Sequence, residues 1–221
     1  MLVNSFFEIN NASFQVGGKE KINNLSLKVE NQGDIICLLG PSGIGKTTIL
    51  RTIAGLEKLN KGEVILKNKI LSSDKIFVEP EKRKIALSFQ ENCLFPHHTV
   101  LKNIMLGITN DKSKKIDIKE ITKFLDIDQI LNKYPHQISA GEAQRASLAR
   151  SLCSEPDLLL LDEPLSNIDQ SFKEEIQRKL KTLIKDLKIT TIIVTHDSYE
   201  AFYLGDKCGI LLNKQLKQFD N

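Results

Sequence analysis

Nowhere in these 221 residues does an apolar run approach the roughly 18 to 20 residues needed to cross a bilayer. If the protein works at a membrane, another chain does the spanning. The first ten residues lack the basic start and long apolar stretch of a secretory signal. Cysteine is scarce: Cys37, Cys93, Cys153 and Cys208 are the four, and no two form a CxxC pair. That spacing argues against a metal or disulfide framework and fits a reducing compartment. Cys37 lies inside the apolar run from Ile35 to Leu39 and Cys208 opens another, so both read as small core residues. An excess of one charge is missing too. Lys and Arg number 31 against 28 Asp and Glu, a net +3. This is too balanced for a surface built to hold nucleic acid. The lysines at 112, 114 and 115 alternate with Asp111 and Ser113 and read as a solvated loop. There is no internal repeat and no low-complexity segment.

What remains is an ordinary globular composition, 41% hydrophobic and 27% charged, in a chain long enough to bury a core. Short apolar runs recur at Ile35–Leu39, Ile85–Phe89, Leu158–Leu161, Thr191–Val194 and Gly209–Leu212. Each is apolar on both faces, as strands of a covered parallel sheet are. Helical spacing lies between them, most plainly in Phe172, Ile176, Leu180, Leu183 and Leu187. Strand alternating with helix predicts an α/β fold with a mostly parallel central sheet. Two regions depart from that pattern. The first 30 residues alternate apolar and polar (Leu25, Leu27, Val29), and Glu63–Leu66 reads similarly, which predicts an antiparallel β part. Residues 92–144 carry no buried strand and read as an inserted helical subdomain. The expectation is one domain over 1–221, its core formed by 1–91 and 145–221.

Gly40-Pro41-Ser42-Gly43-Ile44-Gly45-Lys46-Thr47 fits G-x-x-x-x-G-K-[ST], with Thr48 opening the helix behind it. The glycines let successive N–H groups turn toward one anion, and the helix aims its positive end at the same point. Lys46 can reach the outer phosphates of a nucleotide, and the Thr47 hydroxyl can bind Mg²⁺. A glycine-rich turn that binds nothing is the competing reading, and the buried strand running in and the helix running out argue against it.

A second strand stops at two carboxylates, Asp162 and Glu163, and Pro164 ends it. Ligands of open α/β sheets sit at the carboxyl ends of strands. Asp162 is therefore placed to hold Mg²⁺, and Glu163 to act as base or orienter for an attacking water. A third strand end carries His196, within reach of the outermost phosphate.

With these residues in place the chain resembles the ATPases of ABC transporters. Ile138-Ser139-Ala140-Gly141-Glu142 looks like that family's signature, usually Leu-Ser-Gly-Gly-Gln, and Gln144-Arg145-Ala146 follows it. Gln90 matches the family's Q-loop glutamine, Ser166-Asn167-Ile168-Asp169 its D-loop, and His196 its switch histidine. Phe14 stands where the family places an aromatic on the adenine. The motifs occur in family order along nearly the whole chain. The resemblance implies the ABC ATPase fold, with ATP and Mg²⁺ as ligands. It also implies two copies closing head to tail around two ATP molecules, with Ser139, Ala140, Gly141 and Glu142 of one copy facing the phosphate loop of the other. The metal would be held by Thr47, Gln90 and Asp162. Permease subunits in the membrane would be the partners, on the cytoplasmic face. Three positions depart from the family pattern: Ala140 for glycine, Glu142 for glutamine and Phe14 for tyrosine. If position 140 needs a positive φ or very close backbone approach, the extra Cβ costs energy there.

Glu79-Pro80-Glu81-Lys82-Arg83, then Phe89-Gln90 and Leu94-Phe95-Pro96-His97, resemble an importer subgroup. Its members serve ferric iron, polyamine, thiamine, sulfate, molybdate and sugar uptake, with a solute-binding protein. Many carry a further C-terminal regulatory domain. Because the sequence stops at Asn221, a short member of that group is expected. An export subunit, or an ABC ATPase acting on ribosomes or DNA, are the alternatives. A single phosphate loop, a short insert and near-neutral charge weigh against the second.

Overall fold

The computed structural model describes residues 5–16, 19–90, 93–108, 116–166, 168, 170–212 and 215–220, with backbone alone at 14, 16, 19–21, 170–172, 219 and 220. The lysines at 112, 114 and 115 lie outside the described residues. The chain begins with β1 (Phe7–Val16) and β2 (Lys19–Val29), an antiparallel pair. Next come β3 (Ile35–Leu39), α1 (Lys46–Ala54), β4 (Lys61–Leu66), β5 (Lys69–Ser72) and β6 (Ile85–Ser88). Three helices follow: α2 (Val100–Met105), α3 (Ile118–Phe124) and α4 (Ala140–Leu152). The rest is β7 (Leu158–Asp162), α5 (Gln170–Asp186), β8 (Thr190–Thr195), α6 (Ser198–Leu204), β9 (Lys207–Leu212) and β10 (Gln215–Asp220).

Two sheets form. The first is antiparallel, in the order β2-β1-β4-β5; the second runs β10-β9-β3-β8-β7-β6 and is parallel except at its β10 edge. The expected α/β sheet, antiparallel β part and helical insert are all present. The apolar runs are strands because each face of the parallel sheet meets its own core. Ile35, Cys37, Leu159, Leu161 and Ile193 face a core made with α4, α5, α6 and the helical insert. Ile36, Leu38, Leu158, Leu160, Ile192 and Val194 face the other, made with α1 and the antiparallel sheet. The period of two along each strand divides the residues between the cores. Each fully buried leucine or isoleucine contributes about 1.5–3 kcal/mol. Cys37 and Cys208 stand in register on β3 and β9, both buried. In β2, Leu25, Leu27 and Val29 are buried while Ser26 and Lys28 are exposed, the alternation of a half-covered strand.

Helix α5 buries Ile176, Leu180 and Leu183 as the helical spacing requires, with Leu187 packed at the margin; the side chain of Phe172 lies outside the described residues. Helix α4 runs unbroken through 144 and 145, where the insert and the core were expected to meet, so both share it. The sequence reading did not anticipate β10. Its polar residues alternate with Leu216 on an edge strand, too weak a pattern to stand out before β9 is there to pair with it. Among the described residues no helix is long and apolar enough to cross a membrane.

Arg83 joins the layers. It is 2% exposed, and its guanidinium donates to the carbonyls of Thr52 and Ile53 at the end of α1 and to those of Leu71 and Val78. It also donates to Ser72 Oγ at 2.8 Å. A charged fork at the negative end of α1 satisfies carbonyls that the helix leaves unpaired. Burial lowers its pKa to about 10, and Glu79 pulls the other way.

Candidate active site

The site is a product of strand order. β3, β8, β7 and β6 are adjacent, and their register sets Leu39 beside Thr195, Val194 beside Asp162 and Leu161 beside Ser88. The segments just past those four strands therefore share one edge of the sheet. They are the loop after Leu39, then His196, Glu163 and Gln90, four pieces far apart in sequence. Such a carboxyl edge is where open α/β sheets bind ligands.

The loop after β3 bends at Gly43 (φ 78°) and Gly45 (φ 109°), both left-handed. A Cβ at Gly45 would also stand 3.0 Å from Ile22 Cδ1, so the residue is glycine for two reasons. Helix α1 starts at once with Lys46, whose ammonium donates to the carbonyls of Gly40 (2.7 Å) and Pro41 (3.2 Å). Burial lowers the Lys46 pKa, and the nearby Glu163 and Asp162 carboxylates oppose that. Asp162 is 4% exposed and accepts a hydrogen bond from the Thr47 hydroxyl. Burial raises its pKa from the ordinary aspartate value, the Thr47 bond works against that, and Glu163 adds to the rise.

Glu163 has a φ of 47°, uncommon for a residue with a Cβ. Its backbone is pinned on every side. The N–H donates to Val194 O at 2.9 Å, while the carbonyl accepts from Gln144 Nε2 and from Ser166 Oγ, each at 3.0 Å. Those bonds hold a conformation that would otherwise cost about 1–3 kcal/mol. The carboxylate is thereby turned into the cleft. Gln90 Nε2 donates to Oε2 at 3.1 Å, and His196 Nδ1 lies 3.1 Å from Oε1.

A cleft of about 430 Å³ joins these groups, lined by Ser42, Gly43 and residues 45–48 with Gln90, Asp162, Glu163 and His196. Gly40 and Pro41 contribute through the carbonyls that Lys46 bonds, and Ile44 packs against the core. The oxygen donors of Thr47, Asp162 and Gln90 form the hard, oxygen-only set that suits Mg²⁺.

Ser139, Ala140, Gly141 and Glu142 are elsewhere, lining a separate cleft of about 770 Å³ with Asp126, Arg145 and Ile168. Ser139 N-caps α4: its hydroxyl accepts from Glu142 N, and Glu142 accepts from Ser139 N at 2.7 Å. Glu142 thus completes a capping box, and the bond from Ser139 N lowers its pKa. Ala140 opens the helix and is absent from the positive-φ positions, so the feared backbone strain does not arise. Phe14 lies on β1, its side chain outside the described residues, as Asp169 is altogether. The sequence reading missed Gln144 as a clamp on Glu163, and missed Thr195, Asp197 and Glu200 around His196. A polar residue in a helix looks like surface until the fold buries it: Gln144 is 4% exposed and Glu200 2%.

Fold and cleft together define a phosphate-loop α/β protein, with an acidic strand end and a histidine beside the loop. The family described as ABC transporter matches residues 22–166. The glucose import ATP-binding protein GlcV of Saccharolobus solfataricus is 39% identical over 210 residues, 93% of this chain and 59% of GlcV. The Fe(3+) ions import ATP-binding protein FbpC of Fusobacterium nucleatum is 40% identical over 214 residues, 95% of this chain and 56% of FbpC. The dimeric, ADP- and Pi-bound structure of the ATP-binding cassette MJ0796 superposes with a TM-score of 0.83 at 28% identity, over 97% of this chain and 98% of that one. The chain belongs to the ABC transporter family. It spans a little over half the length of these two curated relatives.

Proposed function

We propose that this chain binds and hydrolyses ATP as the motor subunit of a membrane ABC importer for a small solute. The observation that carries the reading is the Glu163 carboxylate, held by Gln90 and His196 at the mouth of the phosphate-loop cleft. The loop N–H groups and the N-terminus of α1 cradle the phosphates. Lys46 leaves the Gly40 and Pro41 carbonyls for the outer phosphates. Glu163 orients the attacking water and accepts its proton, and His196 steadies Glu163 and the leaving phosphate oxygens. Thr47, Asp162 and Gln90 would hold Mg²⁺, which neutralises charge on the transferred phosphoryl group.

A second copy completes the site. In one chain Ser139 to Glu142 line another cleft, and the MJ0796 structure bound to ADP and Pi is dimeric. Head-to-tail pairing would bring the start of α4 to the partner's phosphates. Permease subunits would hold the pair at the cytoplasmic face of the membrane, with a solute-binding protein acting through them. The relatives' names, glucose in one case and ferric iron in the other, favour import and leave the solute class open. Of the sequence alternatives, export and action on ribosomes or DNA draw no support from those names.

Glu163→Gln tests the chemistry. It should retain ATP and lose about 100-fold or more in turnover; near wild-type turnover would remove Glu163 from the mechanism. Recovery of the tagged protein from native membranes in mild detergent tests the partners. Co-purification of a polytopic permease supports the transporter reading, and ribosomal or DNA-associated companions without a permease would overturn it.

A further inference from the structure

His196 is exposed, its side chain 59% accessible. What it stands on is buried. Glu200, on α6 one turn beyond the loop, is 2% exposed. Its Oε2 accepts from the Thr195 hydroxyl at 3.1 Å, and that hydroxyl in turn accepts from Asp197 N at 3.1 Å. Asp197 caps α6 by accepting from Tyr199 N (2.9 Å) and Glu200 N (3.2 Å). Lys173 of α5 closes the group: its Nζ lies 2.5 Å from Asp197 Oδ2 and 3.8 Å from Glu200 Oε2. Residues 195 and 197, the neighbours of His196 on either side, are thus both fixed by one cluster, buried at Thr195 and Glu200 and partly exposed at Asp197 and Lys173.

We propose that Glu200 is a positioning residue for hydrolysis, setting the His196 turn through Thr195 and tying it through Lys173 to α5. The inference rests on the ATPase reading above. Three observations support it. Glu200 is bonded to both ends of the 195–197 turn, accepting from the Thr195 hydroxyl and donating its own N–H to Asp197. Its other oxygen, Oε1, is buried with no hydrogen-bond partner, an arrangement that stability alone would not favour. The carboxyl is held up at about 7, burial being the main cause; Lys173 and the Thr195 bond oppose that, Asp197 adds to it and His196 opposes it. From β3, Cys37 is the titratable group that feels its charge. A costly buried carboxyl under a catalytic turn is a pattern of functional sites. Lys173 is the fourth residue of α5, so its bond to Asp197 ties the start of that helix to the residue next to His196.

The test uses Glu200→Gln, Lys173→Met and the double variant. Steady-state ATP hydrolysis, ATP affinity by nucleotide fluorescence, and ¹H–¹³C NMR of the histidine rings are measured on each. His97, His98 and His136 serve as internal references in the spectra. A turn loosened by a fraction of an ångström should lower kcat about 5- to 10-fold while ATP affinity stays within about twofold. The His196 ring signal should shift or broaden and the other three stay put. The double variant should be no slower than the slower single, because the two residues act through one turn. Unchanged kcat, an unmoved His196 signal, additive losses, or ATP affinity falling in step with kcat would each overturn the proposal. Should the wild type fail to hydrolyse ATP, the ATPase reading falls by itself, and the His196 signal alone then decides whether Glu200 sets the turn.

Discussion

At the scale of single residues, the site depends on a few side chains whose neighbours fix their state. Lys46 already binds two backbone carbonyls of its own loop, so its ammonium is oriented before any phosphate arrives. Lys46→Ala should weaken ATP binding at least about tenfold, since a charge-assisted bond contributes about 1.5–3 kcal/mol; an unchanged dissociation constant in a fluorescence titration would count against the phosphate-loop assignment. Ala140 leads to the opposite expectation. It opens α4 at an ordinary helical position beside a complete capping box. Ala140→Gly should leave hydrolysis within about twofold and lower stability by up to about 1 kcal/mol, because glycine loses more entropy in a helix. A large gain in turnover would mean that the Cβ obstructs the nucleotide after all.

At the scale of elements, the site is held by contacts that bridge them. Arg83 ties the end of α1 to the β5 region, and a Cβ on Gly55 would meet its Nε at 2.4 Å. Arg83→Met keeps the stem and strands the Thr52, Ile53, Leu71 and Val78 carbonyls. A loss of about 3–5 kcal/mol in urea unfolding is expected, since each buried carbonyl left without a donor costs about 1–3 kcal/mol. The Glu200 cluster ties α6, β8 and α5, and its effect depends on pH. The Glu200 carboxyl sits at about 7 in the fold, above the 4.5 of an unburied glutamate. Its folded pKa is raised, so folding favours the protonated form. That contribution is whole below about 4.5, and is lost as pH rises through 7. Glutamine cannot ionise. Relative to wild type, Glu200→Gln should therefore gain about 2 kcal/mol in stability between pH 5 and pH 8. Parallel stability curves at the two pH values would show that the carboxyl is not held up.

At the scale of the whole molecule, the chain carries two clefts that the proposed pairing would bring together. The phosphate-loop cleft and the cleft at the start of α4 are separate within it. Light scattering should find Glu163→Gln at twice the chain mass with ATP and at the chain mass without nucleotide. Ser139→Glu would set a carboxylate against the partner's phosphates and should prevent that pairing while leaving ATP binding by the single chain intact. A dimer that forms equally with and without ATP would argue against a nucleotide-sandwiched interface.

The sequence by itself determined the strands with both faces apolar, the helical stripe of α5, the phosphate loop and the carboxylates of Asp162 and Glu163. All of these rest on contiguous pattern, where periodicity or a local turn dictates conformation. It also offered His196 from its place at a strand end, and Gln90 through resemblance. Only the tertiary structure decided what neighbours what. The strand order sets β8 and β7 between β3 and β6, and that alone brings His196 and Gln90 within 3.1 Å of the Glu163 carboxylate. Gln144, Lys173, Arg83 and Glu200 carry no sign of a buried structural role in the chain, even where Gln144 and Arg83 fall within a motif. Their partners lie 19, 24, 30 and 5 residues away. Most of those pairings span separate elements, and all depend on burial, which no local pattern encodes. Ala140 and Glu142 show the same limit in reverse: in the sequence they are departures from a motif, with a cost expected at Ala140, whereas in the helix they supply an ordinary first turn and half of a capping box.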